Sequence, residues 1–230
     1  MTIRDPVLVA LLTFTGVTGL IDAVSFLGLG HIFTANMTGN VVLLGFAIAG
    51  TPGLSIGRSS VSLLAFLLGA ALGGRLGAAM AGAGRRRWLM TAAVAEAGLL
   101  AAAAMVSLGF DVASGSPASV LYVVIVLTAV AMGLRNATVR RLAVSDLTTT
   151  VLTLTLTAVA ADSRMGGGDS PRLGRRVGSV ALMLVGAAIG ALLLRAWGLA
   201  VPLLMSSACV LVATIVYTAV PPETLPAVRG

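Results

Sequence analysis

Apolar residues along this chain run in eight blocks, at about 6–30, 37–50, 59–82, 88–109, 117–139, 147–161, 176–195 and 198–220, broken by short polar or glycine-rich stretches. Six blocks reach the ~20 residues that a helix rising about 1.5 Å per residue needs to cross a hydrocarbon core. The blocks at 37–50 and 147–161 hold only 14 and 15 residues, a length typical of segments that enter a bilayer and leave on the same side. The pattern predicts an all-α polytopic membrane protein with six transmembrane helices and two short re-entrant helices, in a single transmembrane domain over residues 1–230. The first block follows Arg4 and Asp5. It is longer than the apolar core of a secretory signal and has no small-residue cleavage site after it, so it reads as a retained span.

Composition agrees with this class. Hydrophobic residues make up 58% of the chain and charged ones 10%, against roughly 25% charged residues in soluble domains. All fifteen basic residues are arginines, and the formal charge is +7. These arginines cluster in loops, with no interleaved aromatics, which points to the positive-inside rule and away from nucleic acid. With six crossings and a cytoplasmic N-terminus, Arg85–Arg87, Arg140–Arg141 and the group Arg164, Arg172, Arg175 and Arg176 all face the cytoplasm, as does the C-terminus. The arginine-free loop 110–116 falls outside, and Arg58 and Arg195 are the main exceptions. If all eight blocks crossed, Arg85–Arg87 and Arg164–Arg176 would lie on opposite sides. Cys209 is the only cysteine, which excludes intrachain disulfides and cysteine-cluster metal sites.

The chain also repeats itself. GLIDAV at 19–24 resembles GLRNAT at 133–138, ANMTGNVV at 35–42 resembles SDLTTTVL at 145–152, and FLLGAALGGRL at 66–76 resembles LMLVGAAIGAL at 182–192. Offsets of 114, 110 and 116 residues keep one order of elements, as a duplicated unit would. The two copies span about 6–109 and 117–220. Three crossings per copy invert the second relative to the first, a plan shared by many transporters, whose sites lie where the copies meet.

Candidate chemistry collects at the short blocks. Asp22, His31, Asn36, Thr38 and Asn40 fall within 19–45, at membrane depth, where each polar group requires a partner. Both short helices begin with capping-type residues: Asn36 and Thr38 in the first, Ser145, Asp146 and Thr148 in the second. Such a start either satisfies its own amides or receives an anion or polar solute. Asp22 matches Asn136 in the repeat and Asn36 matches Asp146, so acid and amide are exchanged. Substrate-pathway candidates are therefore Asp22, Asn36, Thr38, Asn40, Asn136 and Asp146, each with a purely structural alternative as cap or ion-pair partner. Glu96 lies in the middle of the fourth block, as a proton carrier or a partner for Arg75, and His31 suits an interface or a proton relay. Threonines between 148 and 157 bond back along their own helix. The G-x-x-x-G pairs Gly69–Gly73 and Gly186–Gly190 suit close helix packing, within the chain or in a homo-oligomer. MGGGDSP at 165–171 lacks a phosphate-binding lysine and reads as a connection.

The stretch GLIDAVSFLGLGHIFTANMTGNVVLLG, together with GLRNATVRRL in the second half, resembles the YoaK-like family of bacterial inner-membrane proteins. The resemblance implies a polytopic inner-membrane protein without an established activity, sometimes supposed to be a transporter. The chain departs from that family's pattern at Leu154–Thr157, where a Thr-Gly pair is expected, and at Arg135, where glutamine is expected. A lone histidine, no H-E-x-x-H and no G-x-S-x-G argue against a membrane enzyme and give no reason for a metal or cofactor. Two readings stand: a transporter or channel for a small solute or ion, and a structural or lipid-organising protein whose polar residues only hold the fold.

Overall fold

A computed structural model of the chain describes residues 6–142, 152–169 and 173–219. Its elements are α1 (Pro6–Gly28), α2 (Met37–Ile48), α3 (Ile56–Ala79), α4 (Arg85–Val106), α5 (Ala118–Arg141), α6 (Leu152–Ala161), α7 (Leu173–Trp197) and α8 (Ala200–Ala219), with one 3-10 turn at Arg164–Gly166. All-α structure therefore holds among the described residues, and five helices, α3, α4, α5, α7 and α8, are long and apolar enough to cross a membrane. α1 has 23 residues, whereas α2 has 12 and α6 has 10. The capping-type residues Ser145, Asp146 and Thr148 lie outside the described residues.

Chain reversal after α1 is set by two residues with positive φ, Gly30 at 81° and His31 at 60°. The His31 amide donates to the Phe26 carbonyl at 3.0 Å, and its ring stands edge-on to Phe26. The segment then folds back along α1 before α2 begins, with Asn36 as N-cap accepting from the Gly39 amide. Ser55 caps α3 in the same way, accepting from the Arg58 amide.

Small residues decide which helices pair. On α7, Gly186 faces Gly16 of α1 and Gly190 faces Leu20, so the two helices run in the same direction. On α3, Gly69 faces Val130 of α5, Gly73 faces Leu134 and Gly77 faces Arg141, again a parallel register. The buried face of α3 is a stripe of Ser59, Ser62, Ala65, Gly69, Gly73 and Gly77 at helical spacing. Both G-x-x-x-G faces are thus occupied inside the chain, where they bring backbones close. α4 packs on α5 and α8, and α8 on α1; α2 lies on α3 and α6 on α7. Between them Ile21, Leu29, Ile32, Leu100, Ile125, Met132 and Leu203 are fully buried. Outward faces carry Leu64, Leu67, Leu68, Leu184, Val185 and Leu192, an apolar exterior suited to lipid.

One end of the bundle joins the first turns of α1 and α4 to the last turns of α5 and α8, through Ala10, Trp88, Leu89, Val139 and Tyr217. Because α7 runs parallel to α1, its Arg175 and Arg176 share this end with Arg85–Arg87, Arg140 and Arg141. Arg58 and Arg195 belong to the other end. There the α4–α5 loop is tied by Asp111, which accepts from the Ser114 hydroxyl at 2.6 Å and the Ala113 amide at 2.9 Å. These bonds, the hydroxyl first, hold its carboxyl below the usual range.

Candidate functional site

Asp22 sits six residues before the end of α1, and the chain returns to it 13 residues later. Its Oδ1 accepts from the Ala35 amide at 3.1 Å and the Asn36 amide at 3.2 Å, at the point where α2 begins. A helix start presents amides with no intrahelical acceptor and carries partial positive charge, so a buried carboxylate both satisfies and neutralises it. Asp22 is 6% exposed, and each charge-assisted bond of this type contributes roughly 1.5–3 kcal/mol. Two amides at the entry to α2 are therefore already occupied by a carboxyl oxygen of the protein itself.

Asn40, one turn further along, is fully buried and locked in place. Its Oδ1 accepts from the Phe33 amide at 2.8 Å, while its Nδ2 donates to the Phe33 carbonyl and, at 3.1 Å, to the Ser62 hydroxyl. Ser62 in turn donates to the Phe33 carbonyl at 2.6 Å. This closed cluster ties the returning segment and α2 to α3. Asn36 and Thr38 are exposed, the first as cap.

Beside Asp22 opens a cavity of about 590 Å³, lined by Thr18 and Asp22 of α1, the Asn36–Gly39 start of α2, and Leu152 and Thr153 at the start of α6. Phe33, Phe66 and Met183 complete its apolar walls. Its volume lies in the range usual for small-molecule sites, and its lining has the usual character, mostly apolar with a few convergent polar groups. Among the described lining residues Asp22 is the only charged one. The start of α2 and the first described residues of α6 thus line one cavity.

A second polar centre lies next to it. Glu96 of α4 and Arg135 of α5 form an ion pair, 4% and 2% exposed, with Arg135 Nε donating to Glu96 Oε1 at 2.6 Å. Arg135 Nη1 reaches on to the Thr18 hydroxyl at 3.3 Å and the Phe14 carbonyl at 3.4 Å. Thr18 therefore belongs to both the large cavity and the ion-pair network. A small cavity of about 40 Å³ is lined by the pair together with Thr138, Tyr217 and Arg85.

Sequence expectations are met unevenly. Asp22, Asn36 and Thr38 come together at one cavity, whereas Asn136 does not line it and donates to the Met132 carbonyl one turn back on its own helix. Asp146 lies outside the described residues. His31 is exposed, with its ring edge-on to Phe26. Arg75 is exposed on α3 and is not the partner of Glu96; Arg135 is. The reason is the packing order, since α4 lies along α5 and barely touches α3. Ser62 and Arg135 went unassigned in the sequence reading. An intramembrane acid does demand a cation nearby, but the choice between Arg75 and Arg135 requires knowing which helices are neighbours.

Comparison with known proteins agrees with this architecture. Residues 9–216 match the model of a family described as "Protein of unknown function (DUF1275)". The chain is 34% identical over 156 residues to the UPF0700 transmembrane protein YoaK of Bacillus subtilis (strain 168), an alignment covering 67% of this chain and 65% of that protein, slightly under two thirds of the relative's length. No solved structure matches. A family model covering nearly the whole chain and a transmembrane relative of this identity place the protein, a multi-pass membrane protein, in the YoaK-like DUF1275 family.

Proposed function

We propose that this protein moves a small solute or ion across the bacterial inner membrane as a transporter or channel, without catalysing a reaction, and that the route passes the cavity beside Asp22. The observation that carries this reading is that the start of α2 and the first described residues of α6, with one carboxylate, line a single 590 Å³ cavity. The 12 residues of α2 and the 10 described residues of α6 span only about 18 and 15 Å, against a core of roughly 30 Å. On this reading α2 and α6 are re-entrant, each beginning near mid-depth, and the remaining six helices cross. The packing supports an inverted repeat: exchanging α1–α4 with α5–α8 maps the α1–α7 pair onto α5–α3, and the α4–α5 pair onto α8–α1. Arginines gathered at one end fit cytoplasmic termini.

With Asp22 as the only charge among the described lining residues, and two amides at the entry to α2 already occupied, the cavity favours a cation or a neutral polar solute over an anion. The Glu96–Arg135 pair, tied to Thr18, closes the route toward the arginine-rich end. The test is flux of ions and small solutes into proteoliposomes containing wild type or Asp22→Asn. The substitution keeps the shape and one acceptor oxygen while removing the charge. Flux in wild type that falls at least about tenfold in the variant, with an unchanged melting profile, is the expected result. The alternative, a structural protein, draws on the closed Asn40–Ser62–Phe33 cluster. It takes precedence if no solute moves and Asp22→Asn changes only thermal stability.

A further inference from the structure

At the arginine-rich end, away from Asp22, a cavity of about 340 Å³ lies between the end of α3, the start of α4 and the end of α5. Four observations concern its walls. First, Arg85 and Arg141 both line it, and among the described residues neither forms an ion pair. Second, each guanidinium rests on an aromatic face, Arg141 over Trp88 and Arg85 over Tyr217, both 5.9 Å from the ring centroid. This stacking orients a planar cation while leaving its N–H edge for an acceptor. Third, α4 begins here at Gly84 with no side-chain cap, so its first amides carry the partial positive charge of a helix start. Fourth, Trp88, 8% exposed, lines the same cavity, and among the described residues its buried indole N–H has no acceptor. A buried donor without a partner is uncommon and calls for an explanation.

Space has been left for this arrangement. A Cβ on Gly77 would come within 2.9 Å of the Arg141 side chain and 3.0 Å of its Nη1, so the bare glycine of α3 seats the arginine against Trp88. No Asp or Glu is among the described lining residues. Among the described residues, every polar group named here is a donor, two of them cationic, and none is an acceptor carrying negative charge.

We propose that this cavity binds a phosphate group, held by Arg85 and Arg141, with the start of α4 supplying further donors. Two sources present that chemistry at the end of a membrane bundle: the headgroup of an anionic phospholipid and a free phosphate in solution. Phosphate oxygens suit forked guanidinium donors and helix starts alike. Basic pockets between membrane helices are a known setting for anionic headgroups.

The chain has two tryptophans, so Trp197→Phe leaves Trp88 as the single fluorescent reporter. The full-length variant, purified in detergent, is titrated at constant ionic strength with inorganic phosphate, and separately with micellar phosphatidylglycerol against a diacylglycerol of the same chains. A saturable change in Trp88 emission with both phosphate-bearing ligands assigns the phosphate group itself. A change with phosphatidylglycerol alone assigns the lipid headgroup, and one with inorganic phosphate alone a soluble ligand. In the same background Arg141→Gln and, independently, Arg85→Gln weaken apparent affinity about tenfold, the effect of losing one charge-assisted contact. Arg86→Gln removes equal charge from an exposed neighbour that does not line the cavity and changes affinity less than about twofold. No saturable response to either phosphate-bearing ligand, or equal losses in all three arginine variants, overturns the proposal.

Discussion

Glu96 and Arg135 are the pair of residues on which the interior depends most. A carboxylate and a guanidinium removed from water retain their charges only if each supplies the other's partner. Breaking such a pair on one side costs about 3–5 kcal/mol, whereas replacing both by apolar residues of similar volume is often close to neutral. Arg135→Met and Glu96→Leu are therefore expected each to lower stability by about 3 kcal/mol or more. The double variant should recover most of that loss, short of full recovery because Arg135 also serves Thr18 and the Phe14 carbonyl. Unfolding of the four proteins in detergent gives the coupling directly, and simple additivity of the two losses would mean the pair does not act as a unit. The sequence identifies Glu96 as an acid needing a partner at membrane depth. It does not identify Arg135, because Arg75 and Arg135 are equivalent until α5 and not α3 is known to lie against α4. Asp22 and Asn36 were more legible, since they lie 14 positions apart across one turn-back and the capping pattern is local.

Among the helices, length and hydropathy were legible while pairing was not. Nearly every face of these helices is apolar, so periodicity says little about which side is buried; the outward leucines of α3 and α7 are as hydrophobic as the core. Glycine position carries the missing information. Gly133 of α5 lies against the Phe66 carbonyl and the Ala70 amide of α3, and its repeat counterpart Gly19 of α1 lies against Met183 and Ala187 of α7. A methyl group at either site meets backbone, which yields only by moving a helix. Gly98, by contrast, is in the middle of α4 with nothing within 4 Å of a would-be Cβ. Gly133→Ala and Gly19→Ala are thus expected to destabilise by about 1–3 kcal/mol through overpacking. Gly98→Ala is expected to stabilise by roughly 0.5–1 kcal/mol through helix propensity. Thermal melts of the three variants in one detergent separate the cases. A neutral result at both Gly19 and Gly133 would mean that the α1–α7 and α3–α5 seams are looser than their geometry.

Taken as a whole, the molecule has two ends with different chemistry, and this polarity makes the proposed topology testable. The loops holding Thr51 and Ala113 precede α3 and α5, which run side by side in one direction, so both loops sit at the end that has Asp111 and few arginines. Asp169 precedes α7, whose start shares the arginine-rich end with the start of α1. Six crossings with re-entrant α2 and α6 require the first two positions to face the outside and the third the cytoplasm. Because Cys209 is the only native cysteine, Cys209→Ala gives a clean background for Thr51→Cys, Ala113→Cys and Asp169→Cys, all at exposed positions. In intact cells an impermeant thiol reagent is expected to label positions 51 and 113 and to reach 169 only after the membrane is opened. Equal exposure of 113 and 169 would be incompatible with a bundle whose two ends lie on opposite sides of the bilayer. It would remove the inverted repeat, and with it the argument that α2 and α6 meet at mid-depth beside Asp22. The expected pattern would instead fix the direction of the route, from a cavity lined by Asp22 toward the Glu96–Arg135 pair and the arginine-rich face beyond it.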